Sequence, residues 1–144
     1  MHLEHNDSAV IKHMEMYQGI ITRMASNSAA CKQWSLPLIT AMLAYVVKEQ
    51  SSSLVWLAVF AVFIFYALDS YYLMLENRFR AAFKASAEKI AAGEFSRSDL
   101  FDLRPQGSEA KLFLKAFTSP ATWPVYFGMF ALLVVAYKLA SGSI

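Results

Sequence analysis

Cysteine is almost absent: Cys31 is the only one among 144 residues, so no disulfide closes within the chain and the thiol reports no oxidising compartment. Its default role is that of a small buried apolar side chain. Charge is scarce as well, at 17% Asp, Glu, Lys and Arg, against about 25% in soluble domains. The 13 basic and 11 acidic residues nearly cancel to a net +2, which lacks the basic excess of a nucleic-acid binder. Nucleic acid is therefore not an expected partner. Gly93, Gly107 and Gly128 stand alone and form no phosphate-cradling loop. No Ser/His/Asp or Cys/His set stands out, so neither catalysis nor a cofactor is expected. His2, His5 and His13 with Glu4 lack a metal-ligand spacing, and no metal is expected either. The start of the chain mixes acids, bases and histidines where a cleavable signal peptide needs a basic stretch and then an apolar one, so none is expected. There is no repeat at a fixed period, and the length suits a single structural unit, 1–144.

What the chain has in abundance is apolar surface: 57% hydrophobic residues and 15% aromatics, with a mean hydropathy of +0.37. Soluble domains hold about 45–50% apolar residues, so the composition points to lipid. The predicted fold class is all-α, a helical integral membrane protein with a long antiparallel hairpin and a third span.

Three segments carry that reading. Trp34 to Val47 is about 14 residues, roughly 21 Å of helix and short of a roughly 30 Å hydrocarbon core. It must extend back to residue 29, with Lys32 snorkelling toward the headgroups and Pro37 inside the helix. This gives a first span at 29–47 and an outer turn at 48–53. The second span, 54–75, is interrupted only by Asp69 and Ser70, and the third, 120–139, has Pro120 and Pro124 near its start. A turn this short makes the first two spans antiparallel neighbours.

The basic residues set the orientation. Three fall by residue 32, Lys48 is alone in the turn, eight lie between the second and third spans, and Lys138 is alone at the end. The amino terminus and residues 76–119 are thus predicted to face the cytoplasm, and the carboxyl terminus the far side. Aromatic anchors agree, with Trp34, Tyr71, Tyr72 and Trp123 at inner ends and Tyr45, Trp56 and Tyr137 at outer ends.

Before the first span, Val10, Met14, Tyr17, Ile21 and Met24 form a stripe at helical period, which predicts an amphipathic helix over 8–28 capped at Asn6, Asp7 or Ser8. Leu75, Phe79, Ala82, Phe83, Ala87 and Ile90 continue the second span over 76–92, and Gly93 stops it. The two stripes either pack as a cytosolic stem, with Ala25, Ser28, Ala29, Ala81 and Ala85 as small contact surfaces, or lie on the membrane. Residues 93–119 read as a cytosolic loop with one short helix near 108–117.

Asp69 is the ionisable residue deepest within a span, and a charge at the bilayer centre costs about 2.5–3.5 kcal/mol. With the hairpin turn centred between residues 50 and 51, its opposite position is Lys32. The pair either serves folding alone or carries function. Glu76 and Arg80 are i,i+4, with Arg78 beside them and Arg23 across the stem. These residues are either a solvated face or an anion-binding site for a nucleotide or a lipid headgroup.

The stretch Met16-Tyr17-Gln18-Gly19-Ile20-Ile21-Thr22-Arg23-Met24-Ala25-Ser26-Asn27-Ser28 with Lys32-Gln33-Trp34, and Leu68-Asp69-Ser70-Tyr71-Tyr72-Leu73 with Glu76 and Phe79-Arg80, resemble a family of small uncharacterised bacterial membrane proteins. The resemblance covers about the first 85 residues. It implies that Gln18, Arg23, Asn27, Ser28, Lys32, Trp34, Asp69, Tyr72, Glu76 and Arg80 belong to a shared pattern. The plan is also similar to that of SLATT-type two-helix effectors, which accompany nucleotide-signalling anti-phage systems and act on the membrane; the third span departs from it. The resemblance implies a bacterial inner-membrane homo-oligomer, non-enzymatic, acting as an effector or channel with a nucleotide signal or a defence protein as partner. The rival readings are an accessory subunit anchoring a complex, and a lipid enzyme using Asp69 and Glu76 as acid and base.

Overall fold

The computed structural model describes residues 7–142, apart from the side chain of Ser52. Among these described residues it is all-α, with four helices: α1 Ser8–Glu49, α2 Ser52–Ala91, α3 Glu109–Phe117 and α4 Trp123–Ser141.

α1 begins where Asp7 stays extended and its carboxylate accepts the Ala9 N–H at 2.9 Å, supplying one of the amide partners that a helix start leaves open. It then runs unbroken for 42 residues, about 63 Å at 1.5 Å per residue. Pro37 lies within it, and its missing N–H leaves the Gln33 carbonyl without a helical donor. The stop comes at Gln50, which takes the left-handed conformation at φ 47° and returns its N–H to the Val46 carbonyl. Ser51 is extended and α2 starts at Ser52. The connection is thus shorter than the six residues at 48–53 that polarity suggests, because Lys48 and Glu49 close α1 while the serines open α2.

α2, at 40 residues or about 60 Å, runs back along α1. Ile39, Val46, Val55 and Val62 share one buried cluster near the turn, and Tyr17 meets Phe83 edge-on at 6.4 Å further out. α4 lies in the groove between them, and Tyr126, Met129, Leu133 and Ala136 complete an apolar core with Ile39, Val46, Val55, Ala58 and Val62. The far end has its own small core. Phe95, fully buried, plugs the end of α1 and α2 against Val10, Ile90 and Leu100. Along the stem the close approach falls on Ala82, while Ala81 and Ala29 face outward.

Among the described residues two helices are long and apolar enough to cross a membrane, Ser53–Ala91 and Trp123–Ser141, with stretches of mean hydropathy 1.9 and 1.5. Only 28% and 22% of those stretches are buried, so most of their apolar surface faces outward, unlike core helices of soluble proteins. Trp34, Trp56, Phe60 and Phe127 are each more than 60% exposed.

Between α2 and α3 the chain folds back on the stem. Gly107, at φ 91°, turns it into α3; a Cβ there would meet Leu112 Cδ1 at 2.9 Å. The Gln106 N–H is tied to the Arg78 carbonyl at 3.2 Å.

Phe95→Ala removes a fully buried aromatic ring, a loss of about 3–5 kcal/mol when the site does not collapse. Its expected signature in hydrogen exchange is faster amide exchange at 8–17 and 88–104, with the core around Ile39 and Val62 still protected. Uniform loss of protection along α1 and α2 would contradict a separate end core.

Candidate functional site: a buried charged cluster between three helices

The buried face of α1 is a continuous stripe, Tyr17, Met24, Ser28, Cys31, Ser35, Ile39 and Val46, at steps of three, four and seven. Its middle turns are polar although its ends are apolar. That polar patch faces Asp69 and Ser70 of α2, both fully buried.

Asp69 is held from two sides. Ser28 Oγ donates a hydrogen bond to Asp69 Oδ1. Lys32 Nζ lies 2.5 Å from Asp69 Oδ2, an ion pair outside hydrogen-bond alignment, and its side chain keeps 24% exposure. Lys32 also reaches Ser28 Oγ at 3.4 Å, closing a triangle of ammonium, hydroxyl and carboxylate. Ser35, one turn further on, donates to the Lys32 carbonyl at 3.0 Å.

α4 supplies the third wall. The Tyr126 hydroxyl is fully buried beside Asp69 and Ser35. Ser70 Oγ and Thr122 Oγ1 are buried without hydrogen-bond partners among the described residues. Tyr66 stacks on Tyr126 at 4.9 Å and on Phe117 at 4.1 Å, and its hydroxyl donates to the Phe117 carbonyl at 2.6 Å. These rings connect the end of α3 to the cluster.

The cluster is a charged pair with surplus hydroxyls, enclosed by apolar helix. Desolvating an ion pair costs several kcal/mol per ion before its attraction is counted, so the arrangement survives only with good geometry. What it confers is register: sliding α1 by one turn strands a carboxylate and an ammonium apart.

The remaining residues singled out from the sequence are dispersed. Arg80 pairs with Glu76 of its own helix at 2.7 Å, and Arg78 with Glu109 of α3 at 3.2 Å. Arg23 is exposed and has no ion pair among the described residues. Two of the three arginines are thus already matched by carboxylates. Gln18 lines an open groove with Ile21, Thr22, Arg80 and Phe83. Asn27 and Tyr72 are half-buried, and Trp34 is 72% exposed.

His2, Glu4 and His5 lie outside the described residues. His13 is fully buried among Tyr17 and Phe95, and its Nδ1 accepts the Phe101 N–H at 3.1 Å, which fixes it as a neutral ring. Among the described residues no three His, Cys, Asp or Glu side chains are grouped to hold a metal. Burial pushes the His13 pKa below its ordinary 6.5, against the pull of Asp99 and Asp102. Nearby, Lys89 and the Ser96 amide and hydroxyl hold the Asp99 carboxyl at about 2, and Tyr17 donates to the Asp102 carbonyl at 3.0 Å.

No family model, curated protein or solved structure matches the chain.

Two predictions follow from these contacts. Lys32→Ala leaves Asp69 buried and uncompensated, at an expected cost of about 3–5 kcal/mol, whereas Lys32→Met with Asp69→Leu recovers most of it; thermal unfolding in detergent measures both. Equal losses in the single and double variants would show that the pair does not set the register.

For His13 the folded pKa lies below the unfolded 6.5, so as pH falls the unfolded chain takes the proton first. Stability is therefore full above pH 6.5 and declines below it. His13→Asn keeps an acceptor for the Phe101 N–H and is expected to flatten the melting temperature between pH 7.5 and 5.5; an unchanged slope would assign the decline to other groups.

Proposed function

We propose that the chain is an oligomeric, non-enzymatic membrane protein with three spans in the bacterial inner membrane, acting as a membrane-perturbing effector or channel in anti-phage defence. The observation that carries this reading is the buried Asp69–Lys32–Ser28 cluster, set between helices whose outward faces are apolar. Ionisable residues inside a membrane bundle are costly and commonly mark a conduction path.

Residues 29–47 of α1 share one core with two helices long and apolar enough to cross, which supports all three crossing together. Since α1 and α2 are each about twice the roughly 30 Å hydrocarbon thickness, their other halves then project into the cytoplasm as a stem. The basic residues of 76–119 support the inward orientation. Exposed Trp56, Phe60 and Phe127 supply lipid-facing or subunit-facing surface. A nucleotide signal or a partner defence protein would act on the stem, and separation of α1 from α2 would open the charged cluster to water.

The accessory-anchor reading has one observation in its favour: Ser28 and Lys32, the partners of Asp69, lie on its own chain, as a purely structural lock requires.

A voltage-sensitive dye in cells expressing the protein, with and without phage, separates the two. The effector reading expects depolarisation by the wild type and its loss in Asp69→Asn at equal membrane abundance. No depolarisation under either condition, with a stable co-purifying partner, would establish the anchor instead.

A further inference from the structure

We infer that α3 is an interfacial helix that binds anionic phospholipid headgroups of the inner leaflet through Lys111 and Lys115; this rests on the three-span reading above. The argument starts from the two faces of the helix. Ala116 is 1% exposed, and Leu112 and Phe113 are half-buried, on the side that packs along α2. Lys111, Leu114 and Lys115, spaced i, i+3 and i+4, share the other side. Both lysines are exposed and neither has an ion pair among the described residues, while Leu114 between them is 65% exposed.

Its placement selects the occupant. The amino end of α3 is clamped by Arg78–Glu109 at 3.2 Å and its carboxyl end by the Tyr66 hydroxyl on the Phe117 carbonyl at 2.6 Å. The helix therefore descends along α2 from the stem to the level of Tyr66, where α4 begins with exposed Trp123 and Phe127. An outward leucine flanked by two unpaired ammonium groups, continuous with the start of an apolar helix, matches a phospholipid boundary. The leucine enters the acyl region, and the lysines reach the phosphates. Each Lys near an anionic surface strengthens binding about fivefold, so the pair contributes roughly thirtyfold.

The test titrates the detergent-purified full chain with phosphatidylglycerol, with phosphatidylcholine of the same acyl chains, and with inorganic phosphate, reading the melting temperature. Phosphatidylglycerol alone is expected to stabilise the wild type. Lys111→Gln with Lys115→Gln, both exposed, is expected to melt like the wild type without lipid and to need roughly thirtyfold more phosphatidylglycerol. Lys84→Gln, an exposed stem variant, is expected to behave like the wild type.

Equal stabilisation by phosphatidylcholine, or an unshifted titration in the double variant, would overturn the assignment. So would reproduction of the effect by inorganic phosphate, which would make it a free-anion site. Alkaline carbonate extraction of membranes tests the premise separately: release of the protein sinks the three-span reading, whereas retention without a headgroup preference sinks only the role of α3.

Discussion

A carboxylate with no exposed surface has to find its counter-charge inside the protein, and for Asp69 that requirement fixes the relative position of two helices each about 60 Å long. Apolar stripes alone are permissive, because a Val or Ile contact is replaced by a similar one after a shift of one turn. The core near the Gln50 turn is of that kind. Lys32, Ser28 and Asp69 are not interchangeable with their neighbours, so one polar contact point gives the long pair a single register. The turn at Gln50–Ser51 and the Phe95 plug then hold the two ends of an alignment set near the middle.

How much of this is legible in the sequence depends on what kind of signal each element carries. The stripe from Val10 to Met24 and the run from Leu75 to Ile90 announce helices through their period, and both run into the apolar segments without a breaker. The short polar stretch after Val47 marks the middle of the hairpin in the sequence, which is why Lys32 is identifiable as the position opposite Asp69. The turn itself reads as longer than it is, because Lys48, Glu49 and the serines are polar yet serve as helix ends.

Tyr126 and Ser35 illustrate what does not carry through. α4 is apolar around most of its circumference, so no stripe says which side faces α1 and α2, and a hydroxyl on it cannot be aimed from sequence alone. Ser35 lies seven residues after Ser28 on the same face, but a serine within an apolar run carries no signal of burial without its neighbours. The end core was hidden for another reason. Phe95 follows Gly93 in a segment rich in breakers, with no periodicity to mark it as buried, and the contact of His13 with Phe101 spans 88 residues. A residue at position i+3 of the Val10 stripe is nevertheless expected to face inward, which is the one available hint that His13 is buried.

The separation of the two cores has a mechanical consequence. α1 and α2 pass without interruption from the Phe95 plug to the Asp69 cluster, so continuous helix with no intervening loop joins the two. α3 and the Phe117–Tyr66–Tyr126 stack provide a second route to the same cluster from the opposite side. The two routes converge where two buried hydroxyls, on Ser70 and Thr122, lack hydrogen-bond partners among the described residues. Unsatisfied polar groups lower the cost of rearranging their surroundings, since a new arrangement can gain bonds that the present one does not make. The contact that holds α1 and α2 in register is therefore also flanked by buried hydroxyls that a different arrangement could satisfy.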